Sequence, residues 1–532
     1  MKGYLLLKKI RVLIALIFFL TFLFIFLDYR NTMSPKWIEA LASFQFIPAL
    51  LKTISLGLTF SLGLTILLIL ALLTGRVYCS TICPLGIMQD LFARLSRLLK
   101  GKKSTIHFKY RKPLTWIRYG ILVLSIVILL CGSSLALNLL DPYSNFGRII
   151  SYLFQPLVIF INNIAADVLN RMNNFSLYQV SVAAKPLQII TWTTMVFIAV
   201  FVFAFFRGRL YCNSICPVGT LLGLFSKISF FRITIDNQKC TKCAKCMKVC
   251  KSECINLKTQ KVDLSRCVMC MNCVSVCPES AANVKTLISQ KSESKKEREE
   301  LSKREEMTDT SKRDFVTNSV LFTAGIVGLS QLAKAQGALT GHQSAPLKAK
   351  NAVSPPGSVS IERFKSICTA CSLCIKECPN NVIQPSFLEY GFTGMMLPRL
   401  DFHSGLCEYG CTKCTNVCPT GALEKLDPKE KNRTQLGVAH FVHNRCVVVT
   451  DGTDCGACSE HCPTKAVNMV PWGNLLIPKV DESICIGCGG CEHACPVRPA
   501  RAIFVEGNLT HKLANKPKEE KVTLKDTEEF PF

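Results

Sequence analysis

The stretch GRVYCSTICPLG, residues 75–86, returns almost unchanged as GRLYCNSICPVG, residues 208–219. Each copy closes an uncharged apolar run and places two thiols four residues apart, with proline after the second. Working outward, four such runs are long enough to cross about 30 Å of hydrocarbon, which takes roughly 20 residues. They are Val12–Leu27, Thr53–Gly75, Tyr119–Leu140 and Pro186–Phe206. Lys8, Lys9 and Arg11 precede the first. Arg76, Arg94, Arg97, Lys100, Lys102 and Lys103 follow the second. Lys109, Arg111 and Lys112 precede the third, and Arg207 and Arg209 follow the fourth. Basic residues stay on the cytoplasmic side, so four alternating crossings put both repeated motifs at that face. Ile149–Ala166 is also uncharged, but it holds Gln155, Pro156, Asn162 and Asn163. An even number of crossings is needed between Cys83 and Cys212, so this segment reads as an interfacial or re-entrant helix.

The 532 residues include thirty cysteines, in tight clusters. That grouping suits metal better than a disulfide scaffold, which is usually short and secreted. Cys240, Cys243, Cys246 and Cys250 have spacings of two, two and three, and Cys267, Cys270, Cys273 and Cys277 repeat them. This is the pattern of a two-cluster ferredoxin, in which the fourth cysteine of each run serves the other cluster. The expected sets are Cys240, Cys243, Cys246 with Cys277, and Cys267, Cys270, Cys273 with Cys250. A zinc site needs one set of four and no twofold repeat. Lys251 stands where proline is usual, and Cys254 is surplus, read as a free or buried thiol.

Four further runs follow: Cys368, Cys371, Cys374, Cys378; Cys407, Cys411, Cys414, Cys418; Cys446, Cys455, Cys458, Cys462; and Cys485, Cys488, Cys491, Cys495. The second and third carry insertions. Sixteen thiols imply four more [4Fe-4S] clusters, six in all, with adjacent and nested exchange of fourth ligands both open. Short strands are expected at NNVIQ, KAVNMV and RAIFVEG.

The fold class is therefore a polytopic α-helical membrane domain plus two ferredoxin-like α+β polyferredoxin domains. The expected order is a four-span membrane domain at 1–230, a two-cluster ferredoxin at 231–290 and a charged linker at 291–314. A fifth span or signal anchor follows at 315–335, a flexible linker at 336–360, a four-cluster domain at 361–507 and a charged tail at 508–532. Ser311, Lys312, Arg313, Asp314, Phe315 and Val316 resemble a twin-arginine export signal with lysine in the first arginine position. That resemblance implies a periplasmic second ferredoxin domain.

The eight histidines avoid the apolar runs, and no cysteine pair reads CxxCH. Histidine-ligated membrane haem and c-type haem are excluded by ligand supply, and no haem is expected. No Rossmann fingerprint or catalytic triad spacing is present. Much of the basic excess behind the net charge of +26 flanks apolar runs, where anionic lipid and topology explain it; nucleic acid is not an expected partner. Three readings stand for Cys79, Cys83, Cys212 and Cys216: a pair or quartet holding metal or a cluster, a reversible redox dithiol, or small caps where helix meets interface. Cys131 reads as a packed thiol within the third span.

With these residues in view, 1–290 resemble the NapH type of membrane ferredoxin and the membrane part of NosR. The resemblance rests on Cys79–Cys83–Pro84, Cys212–Cys216–Pro217 and the runs at 240–250 and 267–277. Residues 311–503 resemble the exported four-cluster ferredoxins NapG and MauM. The resemblance implies multi-pass insertion in a bacterial inner membrane, the quinone pool as electron source, and a periplasmic reductase or electron carrier as acceptor. The chain would then be a quinol dehydrogenase component of anaerobic respiration, passing electrons from menaquinol or another quinol. A maturation factor for such a reductase, and electron flow in the reverse direction, are the alternatives.

Overall fold

Helix α1 (Lys2–Leu27) carries no charge after Arg11 and contains the first expected run. It heads a computed structural model that describes residues 2–55, 61–99, 108–181, 185–288 and 351–516. The charged segment 291–314, the apolar segment 315–335 with the export-like residues before it, and residues 517–532 of the tail lie outside the described residues.

The second expected span is broken. Helices α2 (Pro35–Ala42) and α3 (Phe46–Ser55) precede α4 (Leu62–Thr74). Ser61 Oγ accepts from Leu64 N and caps a new start there. The first copy of the repeat then forms a short α5 (Tyr78–Thr81) and α6 (Pro84–Leu99), begun by its proline. The third expected span breaks too. Helix α7 (Thr115–Leu130) stops before Gly132, whose φ of 78° turns the chain out of the helix. Cys131 lies exposed at that end rather than packed inside a span. Helix α8 (Leu135–Leu140) follows.

Helix α9 (Pro142–Ile149) passes through one π turn, Ile150–Phe154, into α10 (Gln155–Arg171). Together they make a 30-residue apolar helix. Pro156 has no N–H, and the wider turn just before it accommodates the ring. Ile149–Ala166 is thus part of a long apolar helix and not a separate interfacial one. Helix α11 (Leu187–Arg207) occupies the fourth expected run. The second copy of the repeat forms α12 (Leu210–Ser214) and α13 (Pro217–Ser226), repeating the pattern of α5 and α6. Among the described residues three helices are long and apolar enough to cross a membrane: Tyr4–Leu27, Pro142–Arg171 and Leu187–Arg207. The four-span expectation gives way to these three plus shorter apolar helices. Leu13, Ile17 and Leu20 of α1 and Met195 and Ile198 of α11 stay exposed, while Phe22, Ile25 and Phe26 pack inward.

Residues 231–288 form a small α+β ferredoxin fold. Strand β1 (Phe231–Ile235) is followed by the hairpin of β2 (Ile255–Asn256) and β3 (Lys261–Val262), and pairs antiparallel with β4 (Ala282–Thr286). In the second ferredoxin part, β5 (Ile383–Pro385) pairs with β6 (Pro398–Leu400). Strand β7 (Thr434–Phe441) precedes the hairpin of β8 (Val467–Trp472) and β9 (Leu475–Val480) and pairs with β10 (Ile503–Leu513). Strand β10 runs past 507, and Ser360 bridges to Thr510. Val353, Ser354 and Ser358 are buried. The described end of the expected linker and the start of the expected tail therefore pack as folded structure, because their backbone groups complete a strand edge.

Helix α1 ties the parts together. Lys8 Nζ donates to Ser275 Oγ of the first ferredoxin, and Arg11 Nη1 donates to Ser80 O of the first repeat. Phe19 and Phe26 pack on Phe146, and Asp28 faces Lys376 of the second ferredoxin. Lys8 to Asp28 is about 30 Å of helix at 1.5 Å per residue. The two ferredoxin parts thus meet opposite ends of one apolar helix, with the repeats between them.

Candidate metal centres

Each regular cysteine run wraps itself by the same backbone device. The residues on either side of the second cysteine are left-handed: Lys242 and Ala244, Met269 and Met271, Ala370 and Ser372, Gly487 and Gly489. Reversing the chain twice within seven residues turns three thiols toward one point and aims backbone N–H groups inward, as in an anion-binding nest. The two runs with insertions do without this pair, because the extra residues lengthen the path.

The fourth thiol of each set is decided by packing. Cys246 has Cys277, Cys240 and Cys243 around it, and Cys273 has Cys270, Cys267 and Cys250. In the second ferredoxin part, Cys374 faces Cys368, Cys371 and Cys418, while Cys414 faces Cys407, Cys378 and Cys411. Cys458 faces Cys455, Cys446 and Cys495; Cys491 faces Cys488, Cys485 and Cys462. The exchange is between adjacent runs, not nested ones. Backbone N–H groups of Ala282, Ala370, Leu423 and Ala466 donate to Cys277, Cys368, Cys418 and Cys462 sulfurs. Such donors stabilise thiolate, the form that ligates iron. Four thiols per set, wrapped and supplied with N–H donors, fit a [4Fe-4S] cubane.

Gly487 gives a sharp check. Its φ is +68°, and an added Cβ would lie 2.5 Å from Gly437 O. Gly487→Ala combines a left-handed cost of about 1–2 kcal/mol with a backbone clash. It is expected to lose the set of Cys485, Cys488, Cys491 and Cys462, seen as about four fewer irons per chain.

The repeated motifs bring a seventh set together. Cys83 has Cys212, Cys79 and Cys216 within electrostatic reach, and Cys216 has Cys212 and Cys79. All four are buried. The pairing is reciprocal. Arg76 of the first copy donates to Cys212 O of the second at 2.9 Å, and Arg209 of the second donates to Cys79 O of the first at 2.6 Å. Gln89 Nε2 donates to Cys212 Sγ at 3.2 Å, and Gly219 N to Cys216 Sγ at 3.3 Å. Tyr78 and Tyr211 anchor each copy, donating to Gln45 Oε1 and to Leu140 O. The donor set, four thiols with N–H groups on sulfur, has the same chemistry as the six ferredoxin sets.

Both neighbours of this quartet are held tightly. On one side Ser265, two residues before Cys267, accepts through its carbonyl from Arg76 and Arg118. Arg76 lies within reach of both Cys212 and Cys267. On the other side Ser134 Oγ donates to Cys368 O at 2.6 Å, and Tyr152 OH meets Ser372 Oγ at 2.8 Å. Asp141 lies within reach of both Cys216 and Cys371.

Lys251 now has a role. Its ammonium pairs with Asp90, which also takes Arg209 Nη2 at 2.7 Å. Burial pushes the Asp90 carboxyl up, but Arg209 and Lys251 outweigh this and hold it well below the usual carboxylate range. Lys251 O accepts from Arg209 N. Proline at 251 would forfeit the ammonium that docks the first ferredoxin against α6. Cys254 is buried, with its sulfur 3.5 Å from that of Cys250. Sequence reasoning missed the arginine and aspartate frame; the GR that opens each copy of the repeat and the absent proline after Cys250 were its visible traces.

Comparisons with known proteins place matches on these segments. A family described as a 4Fe-4S binding domain matches residues 56–103 and 189–235, the two stretches that carry the repeat. Two families described as 4Fe-4S dicluster domains match 232–298, and 367–422 with 452–498. The methylamine utilization ferredoxin-type protein MauM of Methylorubrum extorquens is 31% identical over 195 residues, 35% of this chain and 84% of that protein. MauM of Methylobacillus flagellatus is 31% identical over 166 residues, 30% of this chain and 70% of that protein. The ferredoxin-type protein NapF of Escherichia coli K12 is 27% identical over 33% of this chain and 98% of its own length. No solved structure matches. The chain belongs to the family of ferredoxin-type proteins that includes MauM, and it is an iron–sulfur electron-transfer protein.

Proposed function

We propose that the chain is a membrane-embedded electron conduit. It joins a quinol pool and a cytoplasmic ferredoxin part to a periplasmic ferredoxin part that serves a reductase or electron carrier. The observation that carries this reading is the quartet of Cys79, Cys83, Cys212 and Cys216, which lies between the two ferredoxin parts. Six clusters alone leave about 30 Å of hydrocarbon without a redox group. Held by these four thiols, a four-iron cluster would supply one-electron storage between the two ferredoxin parts. The residues around it do the rest. Arg76 and Arg209 fix the two motifs against each other, Arg118 fixes the loop before Cys267, and Ser134 and Tyr152 fix the run at Cys368–Cys374. Buried arginine at membrane depth is costly and is kept where it has partners.

The NapH-like reading of 1–290 is supported by the same quartet and by the match of both repeat segments to a 4Fe-4S binding family. An iron count on anaerobically purified protein tests the proposal. Seven four-iron clusters give about 28 irons per chain, six give about 24. A count of about 24 with fully loaded ferredoxin parts would sink the quartet reading. Reduction of the clusters on adding a menaquinol analogue tests the quinol side separately.

A further inference from the structure

A half-open cavity of about 140 Å³ lies where the long helix α9–α10 meets the second ferredoxin part. Its wall includes Asn31, Ser151, Tyr152, Ile159, Lys185 and Cys378. Two of its polar atoms are unspent: Ser151 Oγ and Asn31 Oδ1 are buried and have no hydrogen-bond partner among the described residues. Ser151 is only 5% exposed. A buried hydroxyl without a partner is costly, so a ligand that supplies the missing bonds is favoured there. Ser151 sits in the π turn, a backbone irregularity common at functional sites. Lys185 Nζ donates to Gln384 Oε1 at 3.0 Å and has donors left over.

We propose that this cavity binds the ring of a quinol, an inference that rests on the quinol reading above. The volume is close to the roughly 150 Å³ of cavities that hold a benzene ring. Asn31 Oδ1 is an acceptor, which suits a quinol hydroxyl rather than a quinone carbonyl, and Ser151 Oγ can serve either form. The face of α10 beside it exposes Leu157, Phe160, Ile161 and Ile164, a surface for an isoprenoid tail. The cavity touches the thiol sets of two different clusters. Cys378 of the set with Cys414 is in its wall, and Tyr152 bonds Ser372, between Cys371 and Cys374 of the other. Oxidation of one quinol to quinone releases two electrons and two protons. The two thiol sets, each holding an oxidised four-iron cluster, would accept one electron apiece, and the two protons would leave to water on the side of the second ferredoxin part. An ionised lipid phosphate would engage Lys185 but has no proton to donate to Asn31 Oδ1.

The test uses the full, cluster-loaded chain in lipid discs, with 2,3-dimethyl-1,4-naphthoquinone as probe. Binding of its reduced form is measured by equilibrium dialysis, and cluster reduction by electron paramagnetic resonance. Ser151→Phe is expected to weaken binding at least tenfold and slow reduction equally, with reduction by dithionite unchanged. Ser151→Ala, which removes one hydrogen bond without adding bulk, is expected to weaken binding roughly 3–10-fold. It decides the matter if the phenylalanine variant loses its clusters. Unchanged binding in the alanine variant and in a loaded phenylalanine variant, with quinol reduction intact, would overturn this site and leave the quinol reading standing. Failure of the unaltered chain to bind or be reduced overturns both.

Discussion

Replacing Cys83 and Cys216 together by serine is expected to remove about four of 28 irons per chain and to sever electron exchange between the two ferredoxin parts. The six ferredoxin sets draw none of their thiols from the repeats, so their signals should persist, and dithionite should still reduce both parts. On the proposed membrane placement, only exchange across the helical layer should fail, because the distance left would be about that of the hydrocarbon itself. The readout is reoxidation of the inner clusters after a membrane-impermeant oxidant is added on the side of the second ferredoxin part in oriented vesicles. Iron content and exchange both unchanged would leave the four thiols as structural caps. Lost exchange with unchanged iron would favour the dithiol reading.

Asp90→Asn is expected to undock the first ferredoxin part. Asp90 holds two cations, Arg209 and Lys251, whose side chains are 0% and 6% exposed. Removing one partner of a buried pair costs about 3–5 kcal/mol, because the other charge is left without compensation. Arg209 also donates to Cys79 O, so the loss reaches the quartet. Limited proteolysis should open at residues 231–288 before the second ferredoxin part is touched. Lys251→Ala should show a smaller opening, since Asp90 keeps Arg209. Equal protection of the aspartate variant and the unaltered chain would show that the ferredoxin is held by its other contacts, among them Ser265, Lys8 and the Arg207–Glu253 pair.

Much of the site was legible in the chain. Spacing alone singled out twenty-four thiols as expected cluster ligands, and in the four regular runs it accompanies a local geometry, three cysteines on a seven-residue wrap with two left-handed residues. The strands at 383–385, 467–472 and from 503 were legible as short apolar runs beside the cysteine runs. Helix continuity was less so. The runs at 53–75 and 119–140 are apolar throughout, and hydropathy does not register a serine cap at 61 or a left-handed glycine at 132. The helix through Pro156 went the other way, since a π turn can absorb a proline that pattern alone reads as a break.

What the sequence by itself determined is the chemistry: thiol number, spacing, the twice-used repeat and the apolar stretches beside it. Tertiary structure decided who meets whom. Cys79 and Cys212 are 133 residues apart, and nothing local to either specifies the other. Their meeting is locked by Arg76 and Arg209, each of which donates to a carbonyl of the opposite copy and finds its remaining partners, Asn213 and Ser265 for one and Asp90 for the other, far along the chain. The same holds for the exchange of fourth cysteines between adjacent runs and for Lys251, whose partner Asp90 lies 161 residues away. Burial makes an unpaired charge or carbonyl expensive, and only the folded chain can bring the compensating group from so far along the sequence.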